Sequence, residues 1–308
     1  MSNIVVLGSA NIDYISHVID FPKPGETVSS SEYRIENGGK GANQAVAVAR
    51  LGSSVDFITC VGDDHAGKAM IDAWKNDGIS VPYDAIIENQ ISGSAQVTVS
   101  SFGENNIIIS AGANQFLNDD VVKNNQDKLL FADYLLLQLE TPIRSSILAA
   151  KIAKESGAKI VLNPAPAKLV PHELLRYVDI ITPNETEASS LSGVHVSDEQ
   201  SAINAADVIH LLGIKCVIIT LGSKGALVSE LNKTPVLVPT RKVHVVDTVA
   251  AGDTFNGAVL VALSEGKELI EAVKFAHSAA ALAVMREGAQ RSVPTREELN
   301  QYLLKTIK

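Results

Sequence analysis

The sequence predicts an α/β fold with a doubly wound, mostly parallel central sheet, helices on both of its faces, and a small β-sheet lid. The first observation behind this prediction is that short apolar, β-branched runs alternate with helical patterns along most of the 308 residues. Such alternation is typical of right-handed βαβ units, which bury a parallel sheet between two layers of helices. The second observation is that two pairs of strand-like segments have no helix between their members, so they are expected to form a separate sheet.

The predicted strands and helices of the main sheet take their bounds from apolar periodicity and from glycines. Strands are expected at residues 4–7, 55–61, 134–139, 160–162, 180–182, 216–220 and 243–246. Helices are expected at residues 42–51, 66–77, 143–156, 185–191 and 199–212, and from Thr254 to about Leu263. Gly52 and Gly78 are predicted to end the first two helices.

The lid is predicted from two antiparallel strand pairs, residues 14–18 with 27–34 and residues 94–101 with 106–110. Turns such as Phe102-Gly103-Glu104-Asn105 are expected to link the strands. The corresponding domain assignment gives the lid residues 12–36 and 93–111, and it gives the α/β core residues 1–11, 37–92 and 112–308.

Composition excludes several classes of function. The formal net charge of −9, with no run of Lys or Arg, argues against nucleic acid and anionic membranes as partners. The apolar run at the N-terminus is too short for a signal peptide, and no run approaches the roughly 20 apolar residues of a membrane span. The two cysteines, Cys60 and Cys216, lie in apolar strand-like runs, which indicates buried thiols in a reducing compartment. We therefore expect a cytoplasmic protein.

The most informative stretch is Asp247-Thr248-Val249-Ala250-Ala251-Gly252-Asp253-Thr254-Phe255-Asn256-Gly257. Ala250, Ala251 and Gly252 are predicted to form a tight turn before a helix, whose first N–H groups are unpaired and lie at the positive end of the helix dipole. These N–H groups form an anion site, and Asp253 beside them is placed to accept the proton of a hydroxyl that attacks a bound phosphate. The alternative is that Asp253 only caps the helix.

A second motif, Gly38-Gly39-Lys40-Gly41-Ala42-Asn43-Gln44, opens the helix expected at residues 42–51. Its glycines let a ligand approach the backbone, and Lys40 and Asn43 add a charge and an amide at the same helix start. The motif is not a P-loop, because Lys40 is followed by Gly41, and it is not a dinucleotide fingerprint, because Gln44 replaces the third glycine. A structural glycine-rich turn is the alternative.

Further polar residues follow predicted strands, at the edge of a parallel sheet where ligands bind. Asn11 and Asp13 follow the first strand and share one face, so together they offer the donors and acceptors that hydroxyl recognition requires. Glu140 follows the strand expected at residues 134–139. For Asn11 and Asp13, a structural Asx-turn is the alternative.

Two other segments at strand ends are weaker candidates. Asn184 and Glu187 open a helix after the strand expected at residues 180–182, where a carboxylate is commonly only a partner of the helix dipole. The turn Thr220-Leu221-Gly222-Ser223-Lys224-Gly225 follows another strand and is suited to lie against a nucleotide, with an ordinary glycine turn as the alternative.

Taken in order, these motifs resemble those of the ribokinase family of sugar kinases, from Ile4 to about Leu303. Residues 38–44 and 247–257 carry the two family signatures. Three more stretches are similar to the family: Leu162-Asn163-Pro164-Ala165-Pro166-Ala167, residues 181–187, and Gly288-Ala289-Gln290-Arg291-Ser292-Val293-Pro294. The resemblance implies ATP-dependent phosphorylation of D-ribose at the 5-hydroxyl, giving ribose 5-phosphate and ADP, on a nucleotide- and sugar-binding core.

The resemblance also implies a role for each matching residue. Asp253 matches the catalytic base, and Ala250, Ala251 and Gly252 match the N–H groups of the anion hole. The positions that match the sugar site are Asn11, Asp13, Gly39, Lys40, Gly41, Asn43, Glu140 and Asp253. Those that match the ATP site are Asn184, Thr220, Gly222, Ser223, Lys224, Gly225, Gly252 and His277.

Two metal ions are implied in the same way. Glu187 matches the family motif that organises Mg²⁺ and its waters. The positions that match a K⁺ site are the side chains of Asp247 and Ser292 and the carbonyls of Val249, Ala283, Arg286 and Gly288. Such a ligand set fits a large, weakly hydrated cation, which favours several oxygens in place of its water shell.

The resemblance further implies a homodimer in which one face of the lid covers the sugar and the other meets the partner's lid. In this chain Gln96, Thr98 and Ser100 alternate with apolar residues, so one face is more polar than a strongly hydrophobic interface, and we expect a weaker dimer. Three other functions stay open. The first is a kinase for a different acceptor, which could be 2-deoxyribose, another pentose or a nucleoside. The second is a catalytically silent sugar sensor, and the third is a nicotinamide-dependent oxidoreductase. Intact Asp253, Lys40 and Glu187 disfavour the sensor, and the missing fingerprint disfavours the oxidoreductase.

Overall fold

The computed structural model describes residues 3–102 and 104–305, so Gly103 of the predicted turn and the two ends of the predicted core domain lie outside the described residues. The strands are β1 (Ile4–Leu7), β2 (Asn11–Val18), β3 (Glu32–Gly38), β4 (Val55–Ile58), β5 (Val61–Gly62), β6 (Ile86–Ile87), β7 (Gly93–Ser100), β8 (Asn105–Ser110), β9 (Tyr134–Leu137), β10 (Lys159–Leu162), β11 (Ile180–Ile181), β12 (Cys216–Thr220), β13 (Ala226–Glu230) and β14 (Val236–Val238). The α-helices are α1 (Lys40–Arg50), α2 (His65–Asn76), α3 (Asp119–Asn124), α4 (Gln126–Leu130), α5 (Ile143–Glu155), α6 (His172–Leu175), α7 (Glu185–Ser192), α8 (Glu199–Leu211), α9 (Ala251–Ser264), α10 (Leu269–Val284) and α11 (Arg296–Lys305).

The central sheet has eight strands in the order β14-β13-β12-β11-β10-β9-β1-β4. From β12 to β4 all neighbours are parallel, whereas β13 and β14 form an antiparallel edge. The chain reverses its direction of winding beside β1, which pairs with β4 on one side and β9 on the other. The predicted doubly wound, mostly parallel sheet is therefore confirmed, and the ligand edge of such a sheet lies beyond the carboxyl ends of its strands.

The core lies on both faces of this sheet. In β1, Ile4 and Val6 belong to one apolar cluster and Val5 and Leu7 to the other, so successive side chains alternate between two buried layers. Helices α1, α9 and α10 cover the first layer, and α5 and α8 cover the second. Burial on both faces explains why these strands are continuous apolar runs instead of alternating ones.

A second sheet has four strands in the order β3-β2-β7-β8, and we call it the small sheet. Strand β2 pairs antiparallel with β3 and parallel with β7, and β7 pairs antiparallel with β8. The strand predicted at residues 27–34 in fact runs from Glu32 to Gly38. The register of the pairing with β2 explains this shift, because Asn11 pairs with Gly38 and His17 pairs with Glu32. Strand β3 therefore extends into the glycine motif.

Two other predicted strands need correction. Residues 243–246 form no strand; the N–H groups of Val246 and Asp247 both donate to the carbonyl of Val284, at the end of α10. The side chains of Val245 and Val246 are exposed, so β-branched propensity alone did not make a strand without a neighbour to pair with. The strand predicted at residues 55–61 is split into β4 and β5, and β5 pairs with β6 in a separate two-stranded sheet.

Two expectations from composition can be compared with the structure. Cys60 is buried and Cys216 is partly buried, and both are free thiols. The prediction of a buried thiol is thus confirmed in full only for Cys60. Within residues 3–102 and 104–305, no helix is long and apolar enough to cross a membrane.

Candidate active site

A cleft of about 620 Å³ lies between the small sheet and the starts of helices α1 and α9. The residues predicted to bind sugar that line this cleft are Asn11, Asp13, Gly39, Lys40, Asn43, Glu140 and Asp253. Gly41 does not line the cleft and packs instead against the backbone of Gly8 and Ser9. A Cβ atom at this position would come within 2.6 Å of that backbone, so the close packing requires glycine. The two sequence motifs and the polar residues after β1 and β9 are therefore brought to one place.

Helix α9 begins earlier than predicted, at Ala251, and its N-cap is Ala250 in the left-handed conformation with φ of 56°. Positive φ is uncommon for a residue with a side chain and tends to occur at functional sites. Asp253 lies in the first turn of the helix, and no side chain caps the helix. The alternative in which Asp253 serves as the N-cap is therefore wrong, and its carboxylate is left for other contacts.

The carboxylate of Asp253 is 8% exposed and is held by two amides from α1. Asn43 Nδ2 donates to Oδ2 at 3.0 Å, and Gln44 Nε2 donates to Oδ1 at 2.9 Å. Burial raises the pKa of Asp253, while the charge of Lys40 and the two amide hydrogen bonds act in the opposite direction. A buried carboxylate with a raised pKa is a stronger proton acceptor near neutral pH than an exposed one.

Lys40 supplies a positive charge to the cleft near Asp253 and Glu140. Burial by itself would lower its pKa, but the negative charges of Asp253 and Glu140 outweigh that effect and raise the pKa. Lys40 is therefore a permanent cation at neutral pH. Its backbone N–H, at the start of α1, donates to Glu140 Oε2 at 3.1 Å, and Ser9 Oγ donates to the same oxygen at 2.6 Å.

Asp13 on β2 pairs with Glu36 on the neighbouring strand β3, and both residues line the cleft. Burial raises the pKa of Asp13 to about 7, and the charges of Glu140, Glu36 and Asp253 add to that effect. A carboxylate in this state gains most from ligand groups that donate hydrogen bonds, because they stabilise its charged form. Sugar hydroxyls are such donors.

Asn11 and Asn43 present amides to the same cleft. Asn11 Oδ1 accepts from Asn114 Nδ2 at 2.9 Å, which fixes the orientation of the Asn11 side chain. The Oδ1 atom of Asn43 is buried and, within the described part of the chain, has no hydrogen-bond donor. A buried unsatisfied acceptor is costly unless a ligand pairs with it, so this atom indicates a donor group on the ligand.

The first N–H groups of α9 adjoin Asp253. Ala251 N donates to Thr248 O at 3.3 Å, and no acceptor is found among the described residues for the N–H groups of Ala250 and Gly252. A Cβ atom placed on Gly252 would meet no atom within 4 Å, so the space beside this helix start is open. The geometry thus has the features of an anion site at a helix N-terminus.

Six of the eight residues predicted to bind ATP lie at or just after the carboxyl ends of β11 and β12: Asn184, Thr220, Gly222, Ser223, Lys224 and Gly225. Gly252 lies instead in the first turn of α9, and His277 lies on α10. Asn184 and Thr220 form a parallel β-bridge at the two strand ends. Gly222, Ser223 and Lys224 form an exposed 3-10 turn, and Lys224 Nζ donates to Ser197 O at 2.7 Å. A surface turn next to a strand end leaves room for a ligand to lie across it.

His277, another residue predicted to bind ATP, lies on α10 and is buried. Its ring lies 5.3 Å from the ring of Phe255, and its Nε2 lies 3.1 Å from the carbonyl of Val238. Burial lowers the pKa of His277, so the ring is neutral and Nε2–H donates to that carbonyl. The structure therefore places His277 among packing residues of α10, α9 and β14.

Glu187 lies between the predicted ATP residues after β11 and the start of α9. It forms a capping box with Asn184 at the start of α7: Glu187 N donates to Asn184 Oδ1, and both carboxylate oxygens accept from Asn184. Glu187 therefore does act as a partner of the helix terminus, which was the structural alternative for this residue. Burial raises the pKa of Glu187, and the charges of Lys40 and Asp253 also act on it, so Glu187 lies within electrostatic reach of the start of α9.

Hydrogen bonds join five of the six residues that match a K⁺ site into two groups, Asp247 with Val249 and Gly288, and Ala283 with Arg286. Asp247 Oδ1 accepts from Val249 N and Asp247 Oδ2 accepts from Gly288 N, both at 3.0 Å. Ala283 O accepts from Arg286 N, and Ser292 Oγ donates to Ala289 O. The matching ligand atoms are all oxygens and come from the loop before α9, from the end of α10 and from the segment that follows α10. Such a set of oxygens fits a K⁺ ion.

Sequence reasoning did not single out several buried polar residues around Asp253 and Asn11. Gln44 contacts Asp253 directly, Asn163 contacts Gln44, and Asn114 orients Asn11. Gln44 and Asn163 belong to the stretches quoted for the family resemblance, so their position in a motif was a usable signal. Asn114 lies in a 3-10 turn after β8, and its sequence context carries no comparable signal.

One face of the small sheet lines the cleft through Ala95, Val97 and Val99 of β7. Because side chains alternate along a strand, Gln96 and Thr98 lie on the opposite, outer face. The outer face also holds one row of paired residues, Ile35, Tyr14, Gln96 and Ile108. Val97 and Val99 therefore lie on the cleft side of the small sheet and not on its outer face.

Comparisons with known proteins show similarity along nearly the whole chain. The family model of the pfkB family carbohydrate kinases matches residues 1–296. The ribokinase of Haemophilus influenzae is 48% identical over 300 residues, which cover 97% of this chain and 98% of that relative. The solved ribokinase of Thermotoga maritima superposes with a TM-score of 0.90 at 41% identity, over 99% of this chain and 100% of the other.

A third comparison concerns a structure with ligands. Arabidopsis thaliana ribokinase complexed with ribose and ATP has a TM-score of 0.90 and 37% identity to this chain. The match covers 98% of this chain and 99% of the Arabidopsis chain.

Proposed function

We propose, from the premise that this chain belongs to the pfkB family of carbohydrate kinases, that it transfers the γ-phosphoryl group of ATP to the 5-hydroxyl of D-ribose. The products are ribose 5-phosphate and ADP. The observation that carries this proposal is the buried carboxylate of Asp253, held by Asn43 and Gln44 beside the open N-terminus of α9 and facing the cleft. Ribokinases similar over nearly the whole chain, one of them solved with ribose and ATP, support the choice of substrates.

In the proposed reaction, the 5-hydroxyl oxygen of ribose forms a bond to the γ-phosphorus. The bond from that phosphorus to the oxygen bridging to the β-phosphate breaks, and ADP leaves with the electron pair. Asp253 accepts the hydroxyl proton, which its raised pKa favours. The N–H groups of Ala250 and Gly252 hold the transferring group, joined by that of Ala251 once it leaves the carbonyl of Thr248. Catalysis then depends mainly on positioning and on electrostatic stabilisation.

Ribose is proposed to bind in the cleft through hydroxyl contacts. Asp13 offers acceptor oxygens, Lys40 offers donors, and Asn43 offers the buried Oδ1 that lacks a donor. Ala95 and Ile107 of the small sheet line the same space, so apolar side chains cover the sugar from the side of the small sheet. This sheet then acts as the lid, with residues 12–36 and 93–111 as the lid domain.

ATP is proposed to lie across the turn at residues 220–225, with its phosphates directed toward α9. Asn184, Glu187 and Lys40 then lie on the phosphate side, since the charge of Glu187 acts on Lys40 and Asp253. Both oxygens of Glu187 are occupied by Asn184, which suits contact with Mg²⁺ through water rather than direct ligation. When bound with ATP, Mg²⁺ supplies neutralisation of the phosphate charge.

The proposed K⁺ site is formed by Asp247 and Ser292 side chains and by carbonyls of Val249, Ala283, Arg286 and Gly288. Its proposed effect is structural, because Asp247 is already bonded to Val249, next to the Ala250 cap of α9. Order in this loop then sets the geometry of the anion hole.

We also propose a homodimer formed through the outer face of the small sheet. Ile35 and Ile108 lie at the two ends of one cross-sheet row on that face and are 56% and 69% exposed. A four-stranded sheet with a bare apolar face is marginal in water, and pairing of identical faces gives a closed two-fold dimer. Gln96 in the middle of the row makes this interface more polar and the dimer weaker. The cytoplasm, where ATP and ribose meet, is the proposed location.

The proposed function is tested by measuring ADP release with a panel of acceptors. The panel contains D-ribose, 2-deoxyribose, two other pentoses and a nucleoside, each at matched concentration with ATP and magnesium. The expected result is the highest kcat/KM with D-ribose and a product phosphorylated at carbon 5. Higher kcat/KM with 2-deoxyribose would contradict ribose as the substrate, and no turnover of any acceptor would contradict kinase activity.

A further inference from the structure

A buried network of side-chain amides lies directly beneath Asp253. Gln44 is 0% exposed, and its Nε2 atom donates both to Asp253 Oδ1 at 2.9 Å and to Asn163 Oδ1 at 3.0 Å. Gln138 Nε2 in turn donates to Gln44 Oε1 at 2.5 Å. The side chain of Gln44 therefore uses both of its N–H donors and one acceptor site inside the protein.

A backbone carbonyl fixes the direction of these hydrogen bonds. Asn163 Nδ2 donates to the carbonyl of Thr182 at 3.2 Å, and a carbonyl can only accept. Asn163 must therefore turn its Oδ1 toward Gln44, and Gln44 must turn its Nε2 toward Asn163 and Asp253. The orientation of the Gln44 amide follows from the network and needs no separate assumption.

The same network reaches the start of α9 by a second route. Thr182 Oγ1 donates to Asn256 Oδ1 at 2.5 Å, and Asn256 Nδ2 donates to the carbonyl of Gly252 at 2.8 Å. Asp253 is thus held through its side chain by Gln44, and its neighbour Gly252 is held through the backbone. The strand ends after β9, β10 and β11 all contribute to this support, through Gln138, Asn163 and Thr182.

We infer that Gln44 is a positioning residue that holds the carboxylate of Asp253 in one orientation and in its ionised form. This inference rests on the proposed function of Asp253 as the base. Asn43 holds Oδ2 and Gln44 holds Oδ1, so the two carboxylate oxygens are fixed by adjacent residues of one helix. A fixed carboxylate costs no reorganisation when the hydroxyl approaches, which is the origin of catalytic preorganisation.

Ionisation of Asp253 depends on the balance of charges around it. Burial and the charge of Glu140 raise its pKa, and the Lys40 charge with the Asn43 and Gln44 hydrogen bonds lowers it. Asp13 on β2 and Glu187 on α7 are further negative groups whose charges interact with Asp253. Removing the Gln44 donor takes away one of three stabilising contacts, so the pKa of Asp253 rises further.

The test uses Gln44→Met, which keeps the volume of the side chain but removes the amide donor toward Asp253, and Gln44→Glu, which also places a second carboxylate beside Asp253. We expect kcat at pH 7 to fall about 10²-fold, with KM for ribose within about threefold of the parent. The acid limb of the kcat profile should move to higher pH by about one unit. Loss of packing alone would not move that limb.

Gln138→Met is the matched control, because Gln138 contacts Gln44 but does not contact Asp253. It should leave the acid limb in place. An unshifted acid limb in a folded Gln44→Met or Gln44→Glu variant would overturn the inference, as would an equal shift in Gln138→Met. If wild type phosphorylates ribose and Asp253→Asn is inactive while the Gln44 variants behave as wild type, only this inference fails and the proposed function stands.

Discussion

Asp253 Oδ2 lies 3.0 Å from Asn43 Nδ2, so the first turn of α9 is bonded to the first turn of α1. These two residues are far apart in the chain and belong to the two sequence motifs that predicted a phosphoryl-transfer site. Both helices start at the edge of the sheet beside the cleft, with their positive dipole ends toward it. The proposed proton acceptor, the proposed sugar contact and the proposed anion site therefore lie close together.

The first prediction concerns pH dependence. Burial raises the pKa of Asp13 to about 7, and burial also raises the pKa of Asp253. Both groups must be ionised to accept hydrogen bonds or protons from ribose, so kcat/KM for ribose should fall as pH drops through about 7. Initial rates between pH 5.5 and pH 8.5 test this, because kcat/KM reports the free enzyme. A constant kcat/KM down to pH 5.5 would be incompatible with the raised values.

The second prediction is that Asp13 lowers stability. Its folded pKa lies above its unfolded value, so the folded state binds the proton more tightly and ionisation opposes folding. The penalty is absent below the unfolded value and complete above about pH 7. Asp13→Asn should thus raise the free energy of unfolding at pH 8 by a few kcal/mol, roughly as 1.4 kcal/mol per pKa unit. Denaturant unfolding at pH 8 and pH 5 should show a gain that shrinks as pH falls.

Asp64→Asn is the control for that experiment, because ionisation of Asp64 stabilises the fold whereas ionisation of Asp13 destabilises it. Asp64 caps α2 by accepting from Gly67 N, and hydrogen bonds from Ser92 and Gly67 keep its pKa low despite partial burial. Its contribution is present above the unfolded value and is lost as pH falls through the folded value. Asp64→Asn should therefore destabilise at pH 8. A gain in stability for both variants, or for neither, would refute the role given to Asp13.

The third prediction concerns potassium. Activity should rise with KCl, respond poorly to NaCl at equal ionic strength, and lose this response in Asp247→Ala. The physical reason is that Asp247 binds Val249 and Gly288, so a filled site orders the loop before Ala250. Asp247→Asn keeps one acceptor oxygen and removes the charge, so it separates the bonding of the loop from the attraction of a cation. Equal activity in both salts would speak against the site.

The fourth prediction concerns assembly. Ile35→Asp with Ile108→Asp places two charges on the outer face of the small sheet and should shift the protein to monomer in sedimentation velocity runs. Val97→Asp with Val99→Asp places the same charges on the cleft face, so it should leave the dimer intact and raise KM for ribose. A monomeric wild type at micromolar concentration, or a dimer lost only in the Val97 and Val99 variant, would show that the outer face is not the interface.

Much of the fold could be predicted because the signals were local. Strand β1, helix α5 and the helix stops at Gly52 and Gly78 depend on apolar periodicity and on glycine, and they lie close to the predicted bounds. The edge hairpin of β13 and β14 was not predicted, because its place in the sheet is set by pairing with β12. The segment at residues 243–246 shows the converse case, in which strand propensity is present and a partner is missing.

The site divides in a similar way. Asp253, Lys40 and Asn43 could be predicted because each stands in a motif with a chemical reason for its position. The start of α9 at Ala251 could not, because it depends on the left-handed Ala250, a conformation that alanine rarely adopts. Gln44 and Asn163 stand in the motif stretches quoted for the family resemblance, but the contacts of Gln44 with Asp253 and with Asn163 depend on the packing of α1 and α9 against the strand ends. Gln138 was missed because no local pattern encodes its contact with Gln44.

The most direct test of the central claim is the turnover of ribose by Asp253→Asn, measured together with ribose and ATP affinity by calorimetry. Asparagine keeps the size of the side chain but cannot accept the hydroxyl proton. We predict that kcat falls on the order of 10²- to 10⁴-fold, while both dissociation constants change little. Turnover within a few-fold of the parent enzyme would contradict the assignment of Asp253 as the base.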